Sequence, residues 1–514
     1  MPKFKSYDQN QSMLLPPNIT DWIPKDHKCF IISEIVDGLN ISCVENTYSN
    51  NGASAYNPKM LVKLIFYSYA KGIRSSRKIE DMSYENIVYR YLSANQFPDH
   101  GTINLFRKNH LEDLENLFAQ VVVLCDGLGI IDPSDISIDG SVFKASASKK
   151  STYDKEAIAK LKKKIGGILR EAEQTDEEED KKYGDKRGYS EMPEKLKDPE
   201  TRKKEIERLQ EKMRKLEEAG QAIDKKQAGA KTKTEKELNR NKTYNTTDPE
   251  AKLMKMKKGK RYNPAFNGQI ATSKQIILAY DVTDDGIDTK LLIPMIDKTE
   301  DNTKKKVEKA KADASYFSKE NMEKINEKEI DAYIPDKAKA LEERQERNNE
   351  IPKYDKRNFK YDEKKDEFVC PENNRLSFKG MNRKTVKKYI CSDCKNCLAK
   401  SKCAKSENRC VYIDWKLEKY KLEMRKKLNS EEGKNKYLER MSDVEPVFGN
   451  IIYNQNAGHF LCRGKPMVKI EFGLSCLAHN LVKISNWINK DRNDKEKTEI
   501  KSQLETLMRL SAAS

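Results

Sequence analysis

The chain has 514 residues, 37% hydrophobic and 35% charged, and its 99 Lys and Arg exceed 82 Asp and Glu to leave a net charge of +17. That length exceeds one ordinary domain and leads to an expectation of two to four folding units; the basic excess favours a polyanionic partner, because neutralising phosphates releases condensed counterions. No run of about 18 apolar residues occurs, which argues against a helical membrane span. The opening MPKFKSYDQN lacks the apolar stretch of a secretory leader, so none is expected. Of eleven cysteines, six fall between Cys370 and Cys410. This is unlike a secreted disulfide framework, and a reducing cytoplasm is the expected compartment.

Over residues 1–128 apolar residues recur at helical spacing in NPKMLVKLIFYSYAKGI and YENIVYRYLSANQF. The next stretch, PDHGTINLFRKNHLEDLENLFAQ, predicts a helix capped by Thr102 with Asn104, Arg107 and Lys108 on its early turns. Short helices ending in a basic one suit a helix-turn-helix DNA reader, whose recognition helix sets side chains against base edges. A helical bundle with a charged, solvated face fits the same pattern.

From residue 129 the pattern changes. In DISIDGSVFKAS, Ile136, Ile138 and Val142 predict a strand with Asp139 near its end. The charged stretch 151–258 holds two heptad-spaced stripes, Ile158, Leu161, Ile165, Ile168 and Ile206, Leu209, Met213, Leu216. They predict an antiparallel helical hairpin, a disordered linker being the alternative. PAFNGQIATS and QIILAYDVT predict a β-hairpin, KAKADASYFSKENMEKI a strand ending at Asp313 and then a helix, and EIDAYIP another strand. A basic, cysteine-rich insertion spans 336–430, and two helices follow, in KYLERMSDVEPVFGNIIYN and EFGLSCLAHNLVKISNWI. This order describes a mixed α/β sheet flanked by helices and interrupted twice.

Asp139, Asp313 and Glu445 stand out as a carboxylate trio on two strands and a late helix, although no spacing rule selects them. Two unit charges about 4 Å apart repel by roughly 4 kcal/mol at an effective dielectric near 20, so gathering three carboxylates makes sense with divalent cations between them. Two Mg²⁺ ions so held activate an attacking water or 3′-OH and stabilise the leaving oxygen of a phosphodiester. Arg440, earlier on the Glu445 helix, is placed either to bind a phosphate or as a solvated charge. Asp288 is a rival second carboxylate in a predicted loop; Asp248 reads as a helix cap and His479 as a satisfied core histidine. Cys391, Cys394, Cys397 and Cys403 run as C-x2-C-x2-C-x5-C, with Cys370 upstream and Cys410 downstream. Four such thiolates close a structural zinc site, and Cys370, Cys391, Cys394 with Cys397 or Cys403 are the better choices. A metal-free thiol cluster is the alternative.

Several segments, in order, resemble the DDE transposases of bacterial insertion sequences, in the subgroup with a helical N-terminal domain and a cysteine-bearing insertion: LLPPNITDWIPKDH, PDHGTINLFRKNH, ISIDGSVFKASAS, TTDPEAKLMK, ADASYFS, VEPVFGNI and CRGKPMVKIEFGLSCLAHNLVKI. The resemblance implies a ribonuclease-H-like core at 129–150, 259–335 and 431–490. It would be preceded by a helical DNA-binding domain at 1–128, interrupted by the helical hairpin at 151–258 and the Cys-rich insertion at 336–430, and followed by a helical tail at 491–514. It also implies Mg²⁺ or Mn²⁺ held by Asp139, Asp313 and Glu445. The partners would be the element's terminal inverted repeats and target DNA, and a homodimer on DNA the working form in a bacterial, nucleoid-associated cytoplasmic setting. Two positions depart from the family pattern. Ser315 replaces a glycine, and Ile452 stands where a lysine commonly lies seven residues after the glutamate, which removes one phosphate contact or marks a decayed copy. A DNA-binding protein without catalysis and a metal-dependent nuclease are the rival functions.

Overall fold

The strand Asp135–Lys144 (β1) buries Ile136 and Ile138 on one face and Ser137, Ser141 and Phe143 on the other, and the main sheet is assembled around it. The computed structural model describes residues 18–48, 54–183, 199–228, 243–256, 261–339, 353–382, 385–404, 406–490 and a few positions between 496 and 507. On one edge of β1 lies β5 (Tyr262–Ser273), antiparallel, with β6 (Ile276–Thr283) antiparallel beyond it. On the other edge β7 (Lys309–Ala312) runs parallel to β1, and β8 (Asp331–Tyr333) parallel to β7. The order is therefore β6-β5-β1-β7-β8, with the short β4 (Lys252–Lys255) sharing the outer edge of β5. The expected hairpin turns through Lys274 and Gln275, both at positive φ, as a two-residue hairpin loop requires. Neither is glycine, so the turn is held from outside. The Gln275 N–H donates to Asp443 at 2.5 Å, and its side chain accepts from Lys483 at 2.6 Å.

Among the described residues seven α-helices precede the sheet: α1 (Lys28–Gly38), α2 (Ser42–Glu45), α3 (Pro58–Ala70), α4 (Ser76–Glu85), α5 (Ile87–Leu92), α6 (His100–Asn109) and α7 (Leu111–Gly127). The cap of α6 is Asp99, not Thr102. Asp99 accepts the Thr102 N–H at 3.0 Å and its hydroxyl at 2.7 Å, so Thr102 is a donor inside the first turn. Helices α10 (Leu292–Thr303) and α11 (Lys319–Glu327) flank the sheet. Late in the chain come α12 (Trp415–Asn429), α13 (Glu431–Gly449), a π turn at Asn450–Asn454 and α14 (Lys465–Asn489).

The predicted helical hairpin forms as α8 (Lys155–Tyr183) and α9 (Pro199–Ala228), standing on a two-stranded ladder of β2 (Thr152–Asp154) and β3 (Thr243–Asn245). Ion pairs Lys155–Asp224 and Lys162–Glu217 fix the antiparallel sense, and Ile158 and Ile165 bury against Leu216, Ala219 and Ile223. The Cys-rich segment contains a five-stranded antiparallel sheet that its polar sequence did not announce: β9 (Lys360–Asp362), β10 (Glu367–Val369), β11 (Arg375–Met381), β12 (Lys387–Cys391) and β13 (Cys410–Ile413).

Helix α14 is apolar on nearly every side, burying Val468, Phe472, Leu477, Leu481 and Ile484 among β6, α7 and α3. One hydrophobic core thus runs from Ile23 through the sheet to Ile488. Within it lies a buried ion pair, Arg74–Glu471, with side chains 3% and 2% exposed. Its remaining hydrogen-bonding capacity is filled: Arg74 donates to the carbonyls of Asn456 and His459, and Glu471 accepts from the Leu461 and Cys462 N–H groups. Such satisfaction is what allows two charges to be buried at all. No helix among the described residues is long and apolar enough to cross a membrane.

His479 of α14 is buried, and its ring nitrogens lie 2.8 Å from the Asn450 side-chain nitrogen and 2.8 Å from the Gln275 carbonyl oxygen. With the Gln275 carbonyl as acceptor, the Nε2-protonated neutral ring satisfies both contacts, as expected of a core histidine. Burial is the main cause that pushes its pKa down, from 6.5 to about 4. The unfolded state then binds the proton more readily. This contribution to stability is complete above about pH 6.5 and is lost as pH falls toward 4, roughly 3 kcal/mol across the window. Urea unfolding at the two ends of that window should show a larger loss for wild type than for His479→Gln; equal losses would contradict the assignment.

Candidate active site

Strands β1 and β7 pair in parallel with Ile138 opposite Ala312. The next step of that register sets Asp139 beside Asp313, just where β7 has ended, so the two carboxylates are carried by neighbouring strands. Arg440 reaches them from α13 and donates from Nη1 to Asp139 Oδ2 at 3.2 Å. Burial works against the charge on Arg440; Asp139 first, then Tyr437 and Asp313, outweigh it and raise its pKa. The Arg440 Nε is buried and has no hydrogen-bond partner. An internal cation thus offsets the repulsion between two adjacent aspartates, which would be several kcal/mol if unopposed at about 4 Å.

A second layer holds Asp313 in place. Ser315 donates its N–H to Asp313 Oδ1 at 2.8 Å and its hydroxyl to the same oxygen at 2.5 Å, with Asp288 Oδ2 at 3.0 Å as a second acceptor. Asp288, expected in a loop, begins a short 3-10 turn (Asp288–Lys290) and accepts from the Asn267 amide at 2.6 Å and the Gln269 amide at 2.8 Å. Gln269 is fully buried opposite Gly140, and its carbonyl accepts from the Tyr316 hydroxyl. Burial drives the Tyr316 pKa upward, and Asp288, Asp139 and Asp313 add to the effect. Gly140 has no side chain because there is no room for one: a Cβ would stand 2.0 Å from Gln269 Nε2 and 3.0 Å from Asp288 Oδ1.

Other sequence-derived candidates lie elsewhere. Glu445 is on α13 but exposed, and it pairs with no other described residue. The structure brings Asp139 and Asp313 together and leaves Glu445 outside. Among the described residues no group of three or more His, Cys, Asp or Glu side chains is gathered as a metal cage. Ile452 falls in the π turn and packs, half-buried, against the core.

The DNA-reading set of α6 needs correction. Asn104 and Lys108 are exposed, but Arg107 is buried, donating to the Tyr69 hydroxyl at 3.1 Å, the Arg74 carbonyl at 3.0 Å and Asn104 Oδ1 at 3.2 Å. In this arrangement its guanidinium braces α6 against α3 and is not offered to DNA. Asp248 does not cap a helix by its own first turn. It is buried and accepts from the Gly464 N–H at 3.4 Å, immediately before α14.

In the Cys-rich segment, Cys370, Cys391, Cys394, Cys397 and Cys403 line one cavity of about 20 Å³, while Cys410 is not among its lining residues. Burial, followed by the neighbouring Cys394, pushes the Cys391 thiol up to about 12, and burial also raises Cys403. Without a metal the raised Cys391 and Cys403 sulfurs are held as thiols.

Comparison with known families gives two matches. Residues 17–109, covering most of the helical region, match the family described as "Transposase domain (DUF772)". Residues 369–485, from β10 through α13 into α14, match "Transposase DDE domain". Both are transposase domains. The two matched segments support an insertion-sequence DDE transposase, a kind of enzyme that cleaves and transfers DNA strands. No curated protein and no solved structure matches it. Glu445 lies inside the second matched segment; Asp139 and Asp313 lie outside both.

Sequence reasoning missed Gln269 and Tyr316, whose alternating positions in apolar runs carry no catalytic signature, and treated Ser315 as a mere departure. Replacing Gly140 by Ala should force Gln269 out of its hydrogen bonds, at a cost of about 1–3 kcal/mol, and lower strand cleavage. Chemical denaturation and a cleavage assay test this; a fully stable, fully active variant would show that the contact is not tight.

Proposed function

We propose that the chain cuts the ends of a bacterial insertion sequence and joins them to target DNA by metal-dependent phosphodiester transfer, with Asp139, Asp313 and Glu445 as its acidic residues. The observation that carries this reading is the parallel register of β1 and β7, whose next step brings Asp139 beside Asp313, with the half-buried Arg440 donating to Asp139. The strand order and directions support a ribonuclease-H-like core interrupted by the two insertions, with 1–128 as the DNA-binding part. Asn104 and Lys108 on α6 remain the residues facing DNA there. Two adjacent hard-oxygen donors fit Mg²⁺ or Mn²⁺, which is commonly held by one or two carboxylates together with substrate phosphates. When bound, the metal would activate the attacking oxygen and stabilise the leaving one. Ser315 fixes the orientation of the Asp313 carboxylate, and Arg440 holds Asp139 until DNA and metal arrive, when its guanidinium becomes available to a phosphate.

Glu445 lies five residues beyond Arg440, about 140° around the helix, so it joins the aspartates only if α13 turns. The helix is loosely bonded at that point. Pro446 supplies no N–H to the Ser442 carbonyl, which accepts instead from the Gln275 amide at 3.0 Å, and the π turn begins at Asn450. Double-stranded flanking DNA with Mg²⁺ tests the function. Wild type should cut, and Asp139→Asn or Asp313→Asn should reduce cutting by on the order of 100-fold or more. Equal cutting by Asp139→Asn would remove the proposed role. Binding without cutting by wild type would favour a decayed DNA-binding protein, with Ile452 as the suspected lesion, and cutting without joining a nuclease.

For the insertion, the reading is a structural zinc held by four of Cys370, Cys391, Cys394, Cys397 and Cys403. The lobe's own core is small, built on Phe359, Phe368, Leu376, Tyr389, Val411, Ile413 and two of those cysteines, and a core of that size ordinarily needs a staple. Purified protein should contain stoichiometric zinc and lose it, with a lower melting temperature, in Cys391→Ser/Cys394→Ser. Protein without zinc would leave the cluster as plain thiols.

A further inference from the structure

Beyond Asp139, β1 runs on to Lys144, and there a cleft of about 1000 Å³ opens. Two distant segments build it. The Lys144 carbonyl accepts the Phe460 N–H at 2.8 Å, and Lys144 bridges in parallel to His459, so the 456–464 loop is stitched to the strand end. Arg463 donates to the Ser146 carbonyl at 3.0 Å from the same loop. Lys149 and Lys150 follow in the short turn after β1.

The charge of this cleft is uncompensated. Lys144, Lys149, Lys150 and Arg463 all line it, no Asp or Glu does, and none of the four forms an ion pair with another described residue. All four are exposed. A second polar cleft, of about 500 Å³ at the start of β1, contrasts with it. Its Lys311 and Lys436 are already neutralised by Asp135, each at 2.6 Å, and by Glu439 at 3.2 and 2.9 Å. A polyanion entering that cleft would have to displace those carboxylates, whereas the Lys144 cleft asks for no such exchange. Hydroxyls of Ser148 and Thr247 add neutral donors to its wall. Five strand residues separate Asp139 from Lys144, about 16 Å, or roughly five nucleotide steps of one duplex strand.

We propose that this cleft carries the phosphodiester backbone of the DNA strand that leads into the Asp139–Asp313 site, with Lys144, Lys149, Lys150 and Arg463 as phosphate contacts. The proposal rests on the transposase reading and adds to it a path for the substrate. Contacts of this kind position DNA without reading its sequence.

Fluorescence anisotropy with two duplexes, one from the DNA flanking the gene and one scrambled, tests the path for wild type and for Lys149→Ala/Lys150→Ala/Arg463→Ala. The triple variant should bind both duplexes about tenfold or more weakly at moderate salt. Its log–log salt dependence should be shallower by about 0.9 per lost contact, while Lys149→Arg/Lys150→Arg should keep wild-type affinity and slope. These side chains are exposed, and an unchanged melting temperature would exclude misfolding. Unchanged affinity and slope in a triple variant, beside a wild type that binds and cuts its flanks, would overturn the cleft assignment and leave the enzyme reading standing. A wild type that neither binds nor cuts DNA would overturn both.

Discussion

Strand β1 is hydrogen-bonded along both edges, antiparallel to β5 and parallel to β7, and this double pairing is the constraint on which the site depends. A strand paired on both sides cannot slip by one residue without turning every side chain to the opposite face. Held in this register, β1 sets Asp139 next to Asp313, Gly140 against Gln269, and Lys144 at the mouth of the basic cleft. The bare backbone at Gly140 allows β5 to bring Gln269 close enough to hold Asp288, and through Ser315 the same network reaches Asp313.

The charges at the site divide into an inner and an outer group. Inside, Arg440 is committed to Asp139, and amides and hydroxyls hold Asp288 and Asp313 so that each carboxylate keeps a fixed orientation. Outside, the lysines after β1 are left without acids. The first arrangement lowers the cost of assembling negative charge before any cation is present; the second reserves positive charge for something that comes from solution. Glu445 belongs to neither group in this conformation, and the weakened backbone of α13 around Pro446 is the physical route by which it would enter the first.

Much of this was legible in the residues. The apolar pattern of DISIDGSVFK marks a strand that carries Asp139, although that strand runs on to Lys144 and not merely to the aspartate, KAKADAS marks one that stops just before Asp313, and the stripes from Ile158 and Ile206 mark the helical hairpin, because these patterns are local. What was not legible depended on distant partners. Arg107 looked like a base reader because a short basic helix does not reveal which of its charges is turned inward; the Tyr69 hydroxyl and the Arg74 carbonyl decide that. The sheet of the Cys-rich lobe was hidden by strands only three to seven residues long, too short to show a clear alternation. The basic cleft was hidden because Arg463 and Lys149 meet only once the fold has closed.

Helix α14 closes that fold, and it lies between helices from the start of the chain and a sheet from its middle. The Arg74–Glu471 pair makes the dependence chemical as well as steric, since Arg74 is a bare charge in an apolar setting until Glu471 reaches it. A ribosome delivers these two residues far apart in time. During synthesis the helical region therefore waits in an unfinished state with its inner face uncovered, and a message broken before the codons for α14 yields a product that chaperones and proteases would meet as unfolded.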